Sequence, residues 1–118
     1  MGVTSLAYQR GDVVWVDLDP ATGSEINKCR PCLIVQRNAA NETSPTTIVA
    51  PIGDARGAKG NVLNIFLAAG TGGVRKDSLV ICNQIRTIDA VRIDGKLGAV
   101  PAPVMAAVEK GVRVILDL

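Results

Sequence analysis

The chain has 118 residues, a formal net charge of +2, 47% hydrophobic residues, 20% charged residues and no histidine. This length and composition exclude a disordered chain and predict a single domain, residues 1–118, with its own core. No apolar run approaches the roughly 18 residues of a membrane span, and no secretory signal is visible at the N-terminus, so we expect a cytoplasmic protein with no membrane partner.

Short apolar stretches, rich in β-branched residues and bounded by turn formers, predict a series of strands. They lie at residues 12–18, 32–37, 46–52, 61–67 and 78–89, with a further short strand around Val91 and Arg92. The polar connector at 38–45 has room for one helical turn. The Gly-rich segment at 68–77 is expected to be a turn, because it lacks the Gly-Lys-Ser/Thr ending of a phosphate-binding loop.

The C-terminal segment changes to a helical period. After Pro103, apolar residues recur at three- and four-residue intervals, which predicts an amphipathic helix over 103–116. Its apolar stripe is either a core face or a dimer contact. Gly111 costs this helix about 1 kcal/mol relative to alanine, so we expect close packing there. The strands and the helix together predict a mainly β (α+β) fold, a small antiparallel β-barrel with short helices and a C-terminal helix.

The cysteines allow two functional interpretations that we do not favour. Their number is three, which argues against a disulfide framework in a cytoplasmic protein. Cys29 and Cys32 form a C-x-x-C motif, but a strand follows it where a thioredoxin-type redox motif opens a βαβ unit. As zinc ligands the cysteines supply at most three thiolates and no histidine. We therefore expect core or strand-flanking cysteines, no metal and no cofactor.

Positive charge is concentrated in the middle of the chain. Residues 26–86 carry eight basic and three acidic side chains, a net +5, whereas the remaining residues carry a net −3. This distribution fits either one basic face that meets phosphates or side chains scattered over a solvated surface.

The segment GSEINKCRP, residues 23–31, places Glu25, Asn27, Lys28 and Arg30 ahead of a strand. The absence of histidine excludes Ser-His-Asp and Cys-His nucleophile pairs. An arginine clamps phosphate oxygens and a glutamate accepts a proton, two roles that metal-free RNA cleavage requires, since RNA supplies its own 2′-hydroxyl nucleophile. The alternative is an exposed Glu25–Arg30 ion pair worth about 0–1 kcal/mol.

Three motifs, in order, resemble the MazF/PemK/Kid family of toxins from bacterial toxin–antitoxin pairs. They are R-G-D-V-V-W at 10–15, G-S-E at 23–25 followed by Arg30-Pro31, and Q-I-R-T at 84–87. The resemblance covers nearly the whole chain, from Gln9 to the last helix. It implies an SH3-like barrel of the CcdB/PemK type that forms a symmetric homodimer. It also implies a sequence-specific, metal-independent endoribonuclease that cuts single-stranded mRNA, leaving a 2′,3′-cyclic phosphate and a 5′-hydroxyl. The partner it implies is a cognate antitoxin whose acidic C-terminal segment occludes the RNA groove.

The same resemblance assigns roles to residues. Arg30 falls on the family's catalytic arginine, as electrostatic stabiliser and acid, and Glu25 on the motif glutamate, as base or orienter. The segment around them is expected to close over the RNA backbone. RNA contacts are expected from Asn27, Lys28, Gly53, Asp54, Arg56, Lys59, Asn83, Gln84 and Arg86. Base stacking surfaces are scarce, since Tyr8, Trp15 and Phe66 are the chain's aromatic residues and Trp15 is expected in the core.

Two departures from the family pattern leave alternatives open. Gly53 stands where many members carry a threonine that assists at the scissile phosphate, and Asn83 stands where relatives have an aspartate with a proton-transfer role. Cleavage is then slower or has another base preference, or Asp54 and Glu25 together take over the roles of the missing threonine and aspartate. A module that binds RNA or antitoxin without catalysis is one rival function. A gyrase-poisoning toxin of the same fold is the other.

Overall fold

The computed structural model describes residues 8–18 and 29–118. Within these ranges the strands are β1 (Asp12–Asp17), β2 (Cys29–Ile34), β3 (Thr46–Asp54), β4 (Asn64–Leu67), β5 (Ser78–Ile81), β6 (Arg86–Asp89) and β7 (Ile93–Ala99). The helices are α1 (Asn38–Asn41) and α2 (Ala102–Leu116). Neither of these helices is long and apolar enough to cross a membrane.

The described strands form one antiparallel sheet in the order β4-β5-β3-β2-β1-β7, with β6 also paired to β3. The long strand β3 bends the sheet, because its first half pairs with β6 and its last three residues pair with β5. The predicted class, mainly antiparallel β with a C-terminal helix, is confirmed. The hydrogen-bonded path through the described strands is open, with β4 and β7 at its two ends.

The predicted strand at 78–89 is wrong as a single element. A 3-10 turn at Cys82–Gln84 divides it into β5 and β6. The division follows from pairing, since β5 lies against Ile52–Asp54 and β6 against Thr46–Val49, so the chain must cross from one end of β3 to the other. Val91 and Arg92 lie in another 3-10 turn, and the strand itself, β7, begins at Ile93.

Strand β2 begins three residues earlier than predicted, at Cys29, and ends at Ile34. Its first residues pair with β1, so that Arg30 lies opposite Val16 and Pro31 opposite Trp15. Pairing with β3 extends only from Cys32–Pro51 to Ile34–Val49. Arg30 is therefore a strand residue, anchored on one side by β1 and beyond the paired part of β3 on the other.

Two apolar clusters cover the two faces of the sheet. Alternation along β1 places Val13 in the cluster under α2 and Val14 and Val16 in the opposite one, and all three are fully buried. Likewise Leu33 packs in the first cluster and Cys32 in the second. The strands next to the site are thus fixed by packing on both sides.

Helix α2 begins just after Pro101, with a proline in its first turn, and ends at Asp117 in a left-handed conformation. Met105, Val108 and Gly111 are its buried residues, so its central face is a core face. Its last apolar residues, Val114, Ile115, Leu116 and the following Leu118, are exposed.

The R-G-D motif that opens β1 has structural roles. Arg10 donates hydrogen bonds to the Val35 carbonyl at 3.2 Å and to the Glu109 carboxylate, which ties α2 to the end of β2. Buried Asp12 accepts a hydrogen bond from the Gln9 backbone N–H at 2.9 Å and pairs with Lys96 at 3.2 Å. These contacts anchor the motif to the sheet and to α2.

Candidate active site

The exposed Arg30 borders a depression at the point where β2 and β3 stop pairing. Its lining consists of Cys29, Arg30, Ile52, Gly53, Asp54 and Arg56. Four residues predicted to act on RNA, Arg30, Gly53, Asp54 and Arg56, therefore lie together, although they come from two separate stretches of the chain. The fully buried neighbours of this segment, Cys32 and Leu33, hold β2 in place beneath the guanidinium.

Asp54 is held in its ionised form. Its carboxylate accepts a hydrogen bond from the Arg56 backbone N–H at 2.9 Å and another from Lys76 Nζ at 3.3 Å. These two contacts, the backbone one first, lower the pKa of Asp54 below its usual value. Both contacts stabilise the charged form, so they also make the carboxylate a weaker proton acceptor than a free aspartate.

The loop after β3 is ordered by its own hydrogen bonds. Arg56 has a φ of 48°, in the left-handed region that side chains other than glycine seldom adopt. The Asp54 carboxylate accepts a hydrogen bond from the Arg56 N–H, and the backbone N–H of Ala55 donates to the Asp77 carbonyl at 3.0 Å. The exposed side chain of Arg56 is thereby presented at the rim of the depression that Arg30 borders.

The other predicted contact residues are placed less closely. Exposed Lys59 lies further along the loop, Asn83 and Gln84 are exposed on the 3-10 turn, and Arg86 is exposed at the start of β6. None of these four belongs to the described lining of the Arg30 depression. Glu25, Asn27 and Lys28 lie outside the described residues, so the expectation that their segment closes over RNA stays a prediction.

The cysteines do not form a chemical group within the described part of the chain. Burial raises the pKa of the Cys32 thiol to about 12, although the positive charges of Arg30 and Arg86 act in the opposite direction. Cys32 is therefore a neutral core thiol, whereas Cys29 is exposed. Their odd separation on one strand directs the two side chains to opposite faces, and Cys82 packs in the other core cluster. This arrangement fits neither a redox pair nor a three-thiolate site.

The prediction that Trp15 lies in the core is wrong, since its relative exposure is 40%. Val13, two residues earlier on the same face, lies against Gly72 of the 3-10 turn Thr71–Gly73, whereas Trp15 is left exposed. Trp15 borders a second depression with Pro31, Val74 and Leu97, which shares Ile52, Gly53 and Asp54 with the first. Alternation alone gave no signal for this exposure, because it predicts the face of a strand residue and not which segments pack over it.

Comparison with known proteins gives one consistent result. Residues 9–116 match the family profile described as PemK-like, MazF-like toxin of type II toxin-antitoxin system. Among curated relatives, Endoribonuclease EndoA of Bacillus subtilis is 36% identical over 114 residues, covering 96% of this chain and 97% of its own. Endoribonuclease MazF2 of Mycobacterium bovis is 32% identical over 114 residues, covering 96% of this chain and all of its own.

The fold has solved counterparts. The MazE-MazF structure (Form-II) from Deinococcus radiodurans superposes with a TM-score of 0.76 and 26% identity, covering 94% of this chain and 96% of that one. The similarity thus extends over the sheet, α2 and the strand ends that line both depressions.

Proposed function

Because the chain belongs to the PemK-like, MazF-like toxin family of type II toxin–antitoxin systems, we propose that it is a sequence-specific endoribonuclease toxin. Its substrate is single-stranded mRNA in the cytoplasm, and its products carry 2′,3′-cyclic phosphate and 5′-hydroxyl ends. The observation that carries the proposal is the exposed Arg30 guanidinium beside Gly53, Asp54 and Arg56, on a strand whose later residues, Cys32 and Leu33, are fully buried.

Arg30 is the electrostatic catalyst in this mechanism. The 2′-hydroxyl oxygen attacks the adjacent phosphorus, the bond from phosphorus to the 5′-oxygen breaks, and the 5′-oxygen takes up a proton. The guanidinium stabilises the added negative charge of the phosphorane. As the acid of this proposal it passes one N–H proton to the leaving 5′-oxygen and regains a proton from water. RNA supplies both the nucleophile and the leaving group, so no histidine is needed.

A carboxylate takes the proton from the 2′-hydroxyl. Glu25 is the base or the orienting group in this proposal. Asp54 is the second proton acceptor in this proposal, because its carboxylate lies in the same depression as Arg30. This sharing offsets Asn83, whose amide cannot take up a proton at neutral pH.

The remaining cations and amides direct the strand of RNA. Arg56 borders the Arg30 depression and Lys59 follows it on the same loop, both well placed for phosphates. Gln84 and Arg86 extend the polar surface along β6, with Asn27 and Lys28 contributing from the segment ahead of β2. An antitoxin with an acidic C-terminal segment competes for the same charges. The exposed apolar end of α2 supports a homodimer.

A gyrase-poisoning toxin of the same fold is not favoured, because the relatives described above are named endoribonucleases. A module that binds RNA without cutting it is the remaining rival. Incubating the purified protein with mixed-sequence single-stranded RNA in EDTA distinguishes the two. We expect cleavage to persist without divalent metal, with 5′-hydroxyl ends that require phosphorylation before ligation. Bound but intact RNA would favour the rival.

Restoring the family's threonine at position 53 should raise activity. A Cβ at Gly53 would lie 3.6 Å from Ile81 Cδ1, an ordinary contact, so the added carbon fits without displacing its neighbour. A hydroxyl that donates to the charged phosphate contributes about 1.5 kcal/mol or more, so Gly53→Thr should increase the cleavage rate about tenfold. Single-turnover cleavage measures the rate of this variant. Gly53→Ala, which adds the Cβ without the hydroxyl, is the control, and an equal gain from both variants would refute the explanation.

A further inference from the structure

Trp15 forms one wall of an apolar cleft that none of the roles assigned so far uses. Its relative exposure is 40%, unusual for an indole on a central strand whose neighbours Val14 and Val16 are fully buried. Pro31, its partner across the β1–β2 ladder, lines the cleft beside it. Val74 and Leu97 complete the apolar lining. Flat aromatic and apolar walls of this kind fit the face of a nucleobase.

The rim of the cleft carries the charges that a nucleotide requires. Arg75, Lys76 and Asp54 border it, and Lys76 Nζ contacts the Asp54 carboxylate at 3.3 Å. The cations attract the phosphates next to a bound base. The carboxylate accepts hydrogen bonds from N–H groups on a base edge.

The cleft adjoins the Arg30 depression at the end of β3, where β2 has stopped pairing with it, and both are lined by Ile52, Gly53 and Asp54. Strand alternation directs Trp15 and Pro31 to the face opposite Arg30. A strand of RNA whose phosphate meets Arg30 therefore reaches the cleft by passing around this end of β3. Phe66, another exposed aromatic residue, lies on β4 and lines neither depression.

From these observations we propose that the Trp15 cleft is a nucleobase subsite, in which one unpaired base next to the scissile phosphate stacks on the indole of Trp15. This proposal deepens and rests on the endoribonuclease function. It assigns part of the sequence preference to Trp15 and Asp54 at the end of the sheet. RNA and not the antitoxin is the occupant.

Trp15 is the chain's single tryptophan, so intrinsic fluorescence reports on the cleft directly. The probe is an oligonucleotide of the mapped cleavage sequence with 2′-O-methyl at the cleaved nucleotide, which binds but is not cut. We expect it to quench the indole emission. Replacing the bases one at a time by abasic residues should abolish the quenching at a single position beside the scissile phosphate.

Kinetics on cleavable RNA provide the second measurement. Trp15→Leu keeps apolar volume but removes the stacking ring and should raise KM about tenfold, with Trp15→Phe losing much less. In Trp15→Leu the abasic change at the identified position should have little further effect. Phe66→Leu, the same kind of loss at an exposed aromatic outside the cleft, should behave as wild type.

Three results would overturn the subsite. They are quenching that no abasic position alters, a Trp15→Leu variant with wild-type KM and base preference, and quenching by the antitoxin but by no oligonucleotide. Failure of the endoribonuclease function is separate, because it would appear as intact RNA with the wild-type protein. The fluorescence measurement then uses short single-stranded homo-oligonucleotides of each base, a probe that needs no mapped cleavage sequence.

Discussion

Replacing Arg30 by alanine should reduce cleavage of single-stranded RNA by between about 10²- and 10³-fold, as is typical when one preorganised group that stabilises transition-state charge is removed. Arg30 is exposed at the depression, so its loss leaves the two core clusters intact. Single-turnover cleavage measures the effect, because it isolates the chemical step. Binding of a non-cleavable RNA should weaken far less than the rate falls.

Arg37→Ala is the matched control for Arg30→Ala. Arg37 is also an exposed arginine, but it lies ahead of α1 and outside the lining of either depression, so its loss removes the same charge without touching the proposed site. A wild-type rate is expected for this variant. Equal losses in Arg30→Ala and Arg37→Ala would show that only net charge matters, and full activity in Arg30→Ala would remove the proposed catalyst.

Gly111→Ala should destabilise the protein, although helix propensity predicts the opposite. In an exposed helix the change would stabilise by about 1 kcal/mol. Here a Cβ would lie 2.6 Å from the Val62 carbonyl oxygen and 2.8 Å from Cys82 Sγ, so the helix must move away from the sheet. Overpacking of this kind costs about 1–3 kcal/mol, so after the gain in helix propensity a net loss of about 1 kcal/mol is expected. Urea unfolding monitored by circular dichroism measures the free energy of unfolding.

Ala106→Gly tests the propensity alone, since Ala106 is an exposed residue of the same helix. It should lower the free energy of unfolding by about 1 kcal/mol. If Gly111→Ala instead raises stability by the amount that Ala106→Gly lowers it, then α2 does not pack as closely on Cys82 as the structure places it.

Local pattern was sufficient to predict most of the fold. The β-branched run in β1 and the three- and four-residue spacing in α2 each predicted an element that the structure contains. The break between β5 and β6 could not be predicted, because apolar residues lie on both sides of Asn83 and Gln84 and only the change of pairing on β3 requires the turn. Strand β7 was placed too early, around Val91 and Arg92, because two glycines and alternating charges weaken its signal.

The residues of the candidate site were predictable where they belong to the family's sequence pattern. Arg30, Gly53, Asp54 and Arg56 were expected to act together, and they share one depression. The exposure of Trp15 was not predicted, since it depends on which segments pack over that face of β1, a property of tertiary packing. The hydrogen bonds that keep Asp54 ionised likewise depend on a loop conformation and on Lys76, 22 residues away in sequence.

The central claim is that RNA cleaves itself through its own 2′-hydroxyl while Arg30 stabilises the phosphorane. A substrate with one 2′-deoxynucleotide at the mapped cleavage site, and ribose elsewhere, tests this claim most directly. The deoxy substrate should bind as tightly as the all-ribose RNA and stay uncut at that position. Scission at the same phosphate in the deoxy substrate would contradict the mechanism.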